Sequence, residues 1–269
     1  MNRNLTILNF LSVILVIIVN YYSQTVQINS NTIGSLSNEY ENLFTPAGYA
    51  FAIWGLIFLS LLVYVFFQIN RAFFSYKDSD FISKTGPWFI IANVANAVWV
   101  VVWLFEYTGI SVILMFVILF SLLKIVLNTN MERWDAPLKI IAFTWWPICL
   151  YAGWITVATI ANVSAYLSKM GWDGWIFNQT QWTIIMILIA GIINILMIYK
   201  RNMREFAAVA VWALFAIYIR HQDGNLAIAY TALGSALIVL ISIMYHGFLN
   251  RKTNPMYKLV NGNDGLHEG

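Results

Sequence analysis

Uncharged polar side chains stand beside large aromatic rings in several apolar stretches of this sequence. Asn96, Trp99 and Trp103 follow one another at one-turn spacing, which places them on roughly one face of a helix. Trp154 and Asn162 are separated by about two helical turns. Several rings with a few polar groups on neighbouring helices are what a pocket for a flat, apolar, partly polar molecule requires.

A third aromatic group comes directly after Pro46-Ala47-Gly48 and contains Tyr49, Phe51 and Trp54. Taken singly, each asparagine would serve equally well as an interhelical hydrogen-bonding group, and each tryptophan as a packing residue. The combination favours a binding site. The residues predicted to bind the ligand are Tyr49, Phe51, Trp54, Asn96, Trp99, Trp103, Trp154 and Asn162.

The side chains that most enzymes and ion-coupled transporters need are missing from the apolar stretches. The sequence has no G-x-x-x-x-G-K-[ST], H-E-x-x-H or C-x-x-C motif, and its single cysteine, Cys149, has no partner for an intrachain disulfide. His221, His246 and His267 are predicted to lie too far apart to share a metal. No carboxylate or lysine lies near the middle of a stretch, which argues against a proton relay. We therefore predict no catalytic residues and no metal site.

The elements that must position these residues are membrane helices. Hydrophobic residues make up 60% of the chain, charged residues only 10%, and the mean hydropathy is +0.71. A soluble domain carries about 25% charged residues. Apolar blocks of about 20 residues predict an all-α polytopic bundle and exclude a β-barrel. The net charge is +3, but the Lys and Arg residues are scattered over short loops and form no basic patch, so nucleic-acid binding is not expected.

Eight apolar segments predict about eight transmembrane spans. The seventh is short, and a re-entrant helix is the alternative, unless it extends to Met203 and Arg220 with the basic side chain reaching the headgroups. The first segment follows Arg3 and is predicted to be an uncleaved signal anchor. The segments are 5–22, 49–68, 88–105, 109–127, 138–166, 182–199, 206–219 and 226–249.

The basic residues predict the orientation of this bundle. With eight spans and both termini in the cytoplasm, all of the 15 Lys and Arg residues except Lys169 and Arg220 lie in cytoplasmic segments, as the positive-inside rule requires. A re-entrant seventh segment would move three more of them outside. The outside loop 23–45 contains no Lys or Arg and is long enough to fold over the mouth of the bundle. The polar tail 251–269 is predicted to be disordered.

Three motifs give the chain a family resemblance. They are the run from Phe44 to Trp54 (FTPAGYAFAIW), Asn96-Ala97-Val98-Trp99, and the stretch from Trp154 to Asn162. Over residues 5–166 the sequence resembles the tryptophan-rich sensory protein family, also called TspO or translocator protein. The resemblance implies a five-helix bundle whose loop after the first helix covers a pocket for porphyrins and other flat hydrophobic molecules. The resemblance also implies a set of pocket or pocket-supporting residues, which are Trp54, Asn96, Trp99, Trp154 and Asn162.

The sequence thus predicts a TspO-like five-helix bundle over 1–166, three additional helices over 167–250 and a cytoplasmic tail over 251–269. The expected function is that of a ligand-binding or sensory membrane protein for a tetrapyrrole such as a porphyrin or haem. A facilitative transporter of a small hydrophobic molecule and a tetrapyrrole-degrading enzyme are the alternatives. The expected partners are the lipid bilayer, the ligand and a second copy of the chain in a homodimer, and the expected location is a bacterial cytoplasmic membrane.

Overall fold

The computed structural model describes residues 2–40, 42–75, 80–251 and 255–261. Three residues used in the sequence argument, Lys77, Lys252 and His267, lie outside these ranges. Within them the chain is helical and contains no β-strand. The predicted all-α membrane fold is therefore confirmed.

Eight long helices form the bundle, and they coincide with the eight apolar segments to within a few residues at each end, except at the start of the fifth segment, where the short helix Leu138–Ile140 and the π-turn Ile141–Trp145 precede the long helix. We number them α1 to α8. Their bounds are Asn2–Val26, Ile53–Ile69, Trp88–Leu104, Thr108–Asn128, Trp146–Lys169, Gln179–Arg201, Arg204–His221 and Leu226–Leu249.

Six helical segments are long and apolar enough to cross a membrane. The other two long helices fall short for identifiable reasons. α3 has 17 residues, and α7 has 18 but carries Arg204, Glu205 and Arg220 at its ends. The predicted number of eight spans stays a prediction for these two helices. α7 is nevertheless a continuous helix, and its bounds nearly coincide with the extended segment from Met203 to Arg220 that was the alternative to a re-entrant helix.

Local sequence signals set several helix boundaries. The Asn178 side chain accepts a hydrogen bond from the backbone N–H of Gln181, and the Gln181 side chain accepts one from the backbone N–H of Asn178, so α6 begins with a capping box. α6 ends at Asn202, which has the left-handed backbone conformation (φ 62°) that asparagine tolerates well. Just before α5, the π-turn Ile141–Trp145 accommodates Pro147, whose ring nitrogen has no hydrogen to donate.

α5 is the central helix of the bundle. It packs against α2, α4 and α7, and 72% of its most apolar stretch is buried, whereas the corresponding share is 33–39% for the other spanning segments. α1 packs on α2 and α3, while α6 and α8 pack on α7 and on each other. The last three helices therefore join the first five mainly through the contact between α7 and α5.

Both ends of the chain lie at the same end of the bundle, which we call the terminal end. Arg3 at the start of α1 donates a hydrogen bond to the backbone oxygen of Ala72, just after the end of α2. The C-terminal helix, Pro255–Asn261, contacts the loop between α4 and α5 through Lys258 and Asp135. This short helix covers one part of the tail 251–269 that is predicted to be disordered, and residues 252–254 and 262–269 of that tail lie outside the described ranges. Which side of the membrane the terminal end faces stays a prediction. We call the opposite end the lid end.

The contact between α5 and α7 depends on the missing side chain of Gly153. A Cβ atom at this position would lie 2.6 Å from the backbone oxygen of Phe206. Because that neighbour is backbone in the first turn of α7, it has little freedom to move. A glycine here allows the two helices to approach closely, as small residues do at membrane helix interfaces.

We expect Gly153→Ala to destabilise the protein, because the helices must separate to accept the added carbon. Overpacking of this kind costs about 1–3 kcal/mol. Gly191→Ala is a matched control on α6, where the added carbon would meet Ser235 Cβ at an ordinary 3.8 Å. The measurement is the thermal unfolding temperature in detergent. Equal unfolding temperatures for the two variants would contradict the close contact.

Candidate functional site

An aromatic pocket lies toward the lid end, between the lid helix Ile33–Glu39 and helices α2 to α5. Six of the eight predicted ligand-binding residues line it: Phe51, Trp54, Trp99, Trp103, Trp154 and Asn162. The other lining residues are Ile33, Ser37, Pro46, Met115, Val157, Ala158 and Ala161.

The rings of the pocket pack against one another in two groups. Trp154 is edge-on to both Trp54 and Phe51, with ring centroids 6.3 and 5.9 Å apart. Trp99 and Trp103 are stacked with their planes 15° apart and their centroids 6.0 Å apart. The one-turn spacing on α3 produces this stack. The pocket thus has flat aromatic walls contributed by three helices.

Two hydrogen-bond donors in the pocket have no partner among the described residues. One is Nε1 of Trp154 and the other is Nδ2 of Asn162. The amide oxygen of Asn162 is already occupied, since it accepts from Ser111 Oγ at 3.1 Å and from Trp99 Nε1 at 3.4 Å. These bonds orient the amide and leave its NH2 group available. The pocket can therefore bind an apolar ring system that carries an acceptor.

Asn96 and Tyr49 lie outside the pocket. Asn96 is fully buried among α1, α3 and α5, where it donates to Tyr151 Oη at 2.8 Å and accepts from Asn20 at 3.5 Å. Tyr49 packs edge-on against Trp212 of α7 with centroids 5.3 Å apart. It belongs to the 3₁₀ turn Gly48–Ala52, and three residues per turn send Tyr49 and Phe51 in different directions.

The closed pocket is small. Its volume is about 40 Å³, whereas ligand pockets usually measure about 300–1,000 Å³. A cavity of this size has room for a few water molecules. A tetrapyrrole would fit only after the lid helix, which contributes Ile33 and Ser37, has moved away.

The first part of the lid is attached to α3, to the turn after it, and to α5. Trp103 Nε1 donates to the backbone oxygen of Ile33 at 3.4 Å. The Tyr40 hydroxyl donates to the carboxylate of Glu106, and Lys169 at the end of α5 lies 3.5 Å from the same carboxylate. The contacts of Tyr40, Glu106 and Lys169 lie at the partly exposed rim, whereas Ile33 and Leu36 of the lid helix are buried in the core, so opening the lid must also expose these two side chains.

The second part of the lid, residues 42–50, is attached to α7. The Ala47 amide donates to the backbone oxygen of Ala216 at 3.1 Å, and a ring nitrogen of His221 lies 2.8 Å from the backbone oxygen of Leu43. Trp212 Nε1 donates to the backbone oxygen of Ala50 at 3.1 Å. These α7 residues were not among those predicted from the sequence, because no local sequence pattern indicates which helix the lid contacts.

A larger, mainly apolar groove lies on the other side of α5, between α4 and α6. Its volume is about 440 Å³, which is within the usual range for ligand pockets. Thr156 and Thr159 of α5 face it, and Trp172 and Trp182 lie toward its lid end. None of the eight predicted residues lines this groove. It exists because α6 packs on α7 and α8 and stays apart from α4.

The described residues contain no group of three His, Cys, Asp or Glu side chains able to hold a metal ion. The comparison with protein families then identifies the chain. The model of the TSPO-like protein family matches residues 6–245. The chain belongs to the TSPO-like protein family. In the other comparisons, no curated protein and no solved structure matches it.

The matched range is longer than the resemblance seen in the three motifs, which ended at residue 166. It includes α6, α7 and most of α8. In this TSPO-like protein the last helices therefore lie within the region that the family model describes, in agreement with the contacts between α7 and the lid.

The lid should loosen at acid pH. The hydrogen bond from Tyr40 and the charge of Lys169, against an opposing effect of burial, hold the pKa of Glu106 below its ordinary 4.5. A lowered pKa stabilises the closed lid above pH 4.5, and this stabilisation is lost as the pH falls through the lowered pKa. We expect faster amide hydrogen exchange in residues 33–39 at pH 3 than at pH 6, after correction for intrinsic rates.

Glu106→Gln should remove most of this pH dependence, whereas Glu39→Gln, a change on the exposed side of the lid helix, should preserve it. If the pH dependence were the same in both variants, another group would control the lid.

Proposed function

We propose that this TSPO-like protein binds a flat hydrophobic molecule of the tetrapyrrole class in the aromatic pocket, after displacement of the lid helix. The observation that carries the proposal is the combination of aromatic walls with the unpartnered donors of Trp154 and Asn162. A porphyrin has a flat ring for the walls and carboxylates that accept hydrogen bonds. The described pocket contains no charged side chain, so the ring system supplies most of the affinity.

The attachments of the lid support a gated site. The pocket is too small for a ligand when closed, and the contacts of Tyr40, Glu106 and Lys169 are at its rim. When a ligand binds only the open state, part of its binding free energy is used to open the lid. Its apparent affinity is therefore the intrinsic affinity multiplied by the fraction of protein that is open. A binding role of this kind suits a sensor or receptor. We also propose that two copies of the chain form a homodimer.

The groove between α4, α5 and α6 favours a second candidate function. It already has the volume of a ligand pocket and faces the bilayer along the exposed side chains of Phe116 and Ile193. A small hydrophobic molecule could enter it from the membrane, as the transporter hypothesis requires. The two functions differ in which side of α5 holds the ligand, and variants on each side separate them.

We expect protoporphyrin to quench the tryptophan fluorescence of the purified protein in detergent with a saturable dependence on concentration. Trp99→Ala should weaken binding by roughly 5- to 150-fold, because stacking on one aromatic side chain is worth about 1–3 kcal/mol. Trp154→Phe keeps a ring and removes the N–H donor, and it should cause a smaller loss. Trp88→Phe is the control, since Trp88 packs on Phe120 toward the terminal end.

Met186→Trp tests the groove, because the larger ring would fill part of it without touching the aromatic pocket. If protoporphyrin binding were lost in Met186→Trp and unchanged in Trp99→Ala, the ligand would lie in the groove and the pocket assignment would be wrong. Absence of saturable binding in the parent protein would rule out the tetrapyrrole as ligand.

A further inference from the structure

A polar cavity lies at the terminal end of the bundle, far from the aromatic pocket. Its volume is about 160 Å³. It is enclosed by the loop between α4 and α5, the π-turn before α5, and the turn between α6 and α7. The lining residues are Glu132, Trp134, Asp135, Ile141, Trp145, Asn202, Arg204 and Glu205.

Three hydrogen-bond acceptors of the lining residues have no partner among the described residues. Glu132 is only 8% exposed, and while its Oε2 accepts from Asn202 Nδ2 at 3.3 Å, its buried Oε1 has no donor. Glu205 Oε2 and the amide oxygen of Asn202 are buried and have no partner at full hydrogen-bond geometry, and the same is true of one lining donor, Nε of Arg204. The Trp146 side chain lies near the Glu205 carboxylate. A buried carboxylate oxygen without a donor is costly, so a ligand that supplies positive charge would stabilise this arrangement.

The lining of the cavity holds more carboxylates than cations. Three carboxylates line it, those of Glu132, Asp135 and Glu205, and Arg204 is the single lining cation. A second cation, Lys258 of the C-terminal helix, pairs with Asp135 and donates to the backbone oxygen of Ala136 at 2.7 Å. A third cation, Arg201 at the end of α6, donates to the backbone oxygens of Val126 and Met131, so the unpartnered glutamate oxygens, and not a net charge, mark the place for a cationic ligand.

Two indole rings form the apolar part of the wall. Trp134 and Trp145 are edge-on to each other with centroids 5.4 Å apart. Trp145 is 2% exposed, whereas Trp134 is 47% exposed and therefore marks the mouth of the cavity. Indole faces attract cations, and aromatic cages are a common way of recognising alkylated ammonium groups.

We propose that this cavity is a binding site for a small organic monocation of the alkylammonium class, held by Glu132 and Glu205 and packed against Trp134 and Trp145. The size is suitable, since an engineered cavity of about 150 Å³ binds benzene. A bare inorganic cation would gain little from the indole wall.

The test uses tetramethylammonium as the probe and tert-butanol as an uncharged molecule of similar shape. Isothermal titration calorimetry on the full-length protein in detergent should show saturable binding of tetramethylammonium and none of tert-butanol. Glu132→Gln should weaken binding at least tenfold, because it removes a charge and preserves the shape. Glu39→Gln, the same change in the lid, should leave binding as in the parent protein.

Binding should also tighten as the pH is raised from 6 to 9. Burial and then the negative charge of Glu205 raise the pKa of Glu132 to about 8, with Arg204 and Lys258 opposing. A proton on Glu132 competes with the cation, so the charged site forms as the pH passes this value. Glu132→Gln should reduce the dependence, with Glu205 left in the cavity as a second carboxylate. The charged groups of the neighbouring elements are Asp135 of the same loop, Arg201 of α6, Arg204 and Glu205 of α7, and Lys258 of the C-terminal helix.

Trp134→Leu provides a second variant if Glu132→Gln folds poorly. It keeps the charges and removes the exposed ring, and we expect a loss of about threefold or more. Equal binding of tert-butanol, unchanged binding in both Glu132→Gln and Trp134→Leu, or heat from KCl with none from tetramethylammonium would each overturn the proposal. Since the aromatic pocket is not involved, failure here leaves the tetrapyrrole proposal untouched.

Discussion

The burial of α5 is the constraint on which the rest of the structure depends. This helix is surrounded by α2, α4 and α7, and it can approach α7 closely because Gly153 has no side chain. One of its faces carries Trp154 and Asn162 into the aromatic pocket, while another carries Thr159 into the groove. The π-turn before it brings Trp145 to the polar cavity. All three cavities therefore depend on the position of one helix.

Hydrogen bonding in hydrocarbon decides which polar residues are structural. Asn9 donates to Gln68 at 2.8 Å and Asn93 to Ser12 at 3.1 Å, so both tie α1 to its neighbours. Asn96 does the same between α3 and α5. Membrane hydrogen bonds of this kind contribute about 0.6 kcal/mol each on average, and they also fix the register between neighbouring helices. Asn162 differs because its NH2 group faces a cavity.

The last three helices are part of the architecture of the lid. α7 packs on α5 and also holds the second half of the lid through Trp212, Ala216 and His221. The first half is held by Glu106 and Lys169 at the rim. The two halves thus differ in support: the second rests on α7, whereas the first combines polar contacts at the rim with the buried side chains of Ile33 and Leu36. The first half carries Ile33 and Ser37 over the pocket, and its movement must expose these side chains.

The sequence by itself determined the membrane helices and most of the aromatic pocket. Hydrophobic blocks of spanning length leave the backbone no alternative to helix, and one-turn spacing places Trp99 and Trp103 on one face. Only the tertiary structure decided that Tyr49 faces α7, that Asn96 bonds to Tyr151, and that the closed pocket is small. Those outcomes depend on which helices become neighbours. Hydrophobic periodicity indicates which face of a helix is buried, but it does not indicate which other helix covers that face. The polar cavity shows the same limit, because it gathers Glu132, Asn202 and Glu205 from loops and helix ends whose proximity arises from packing alone.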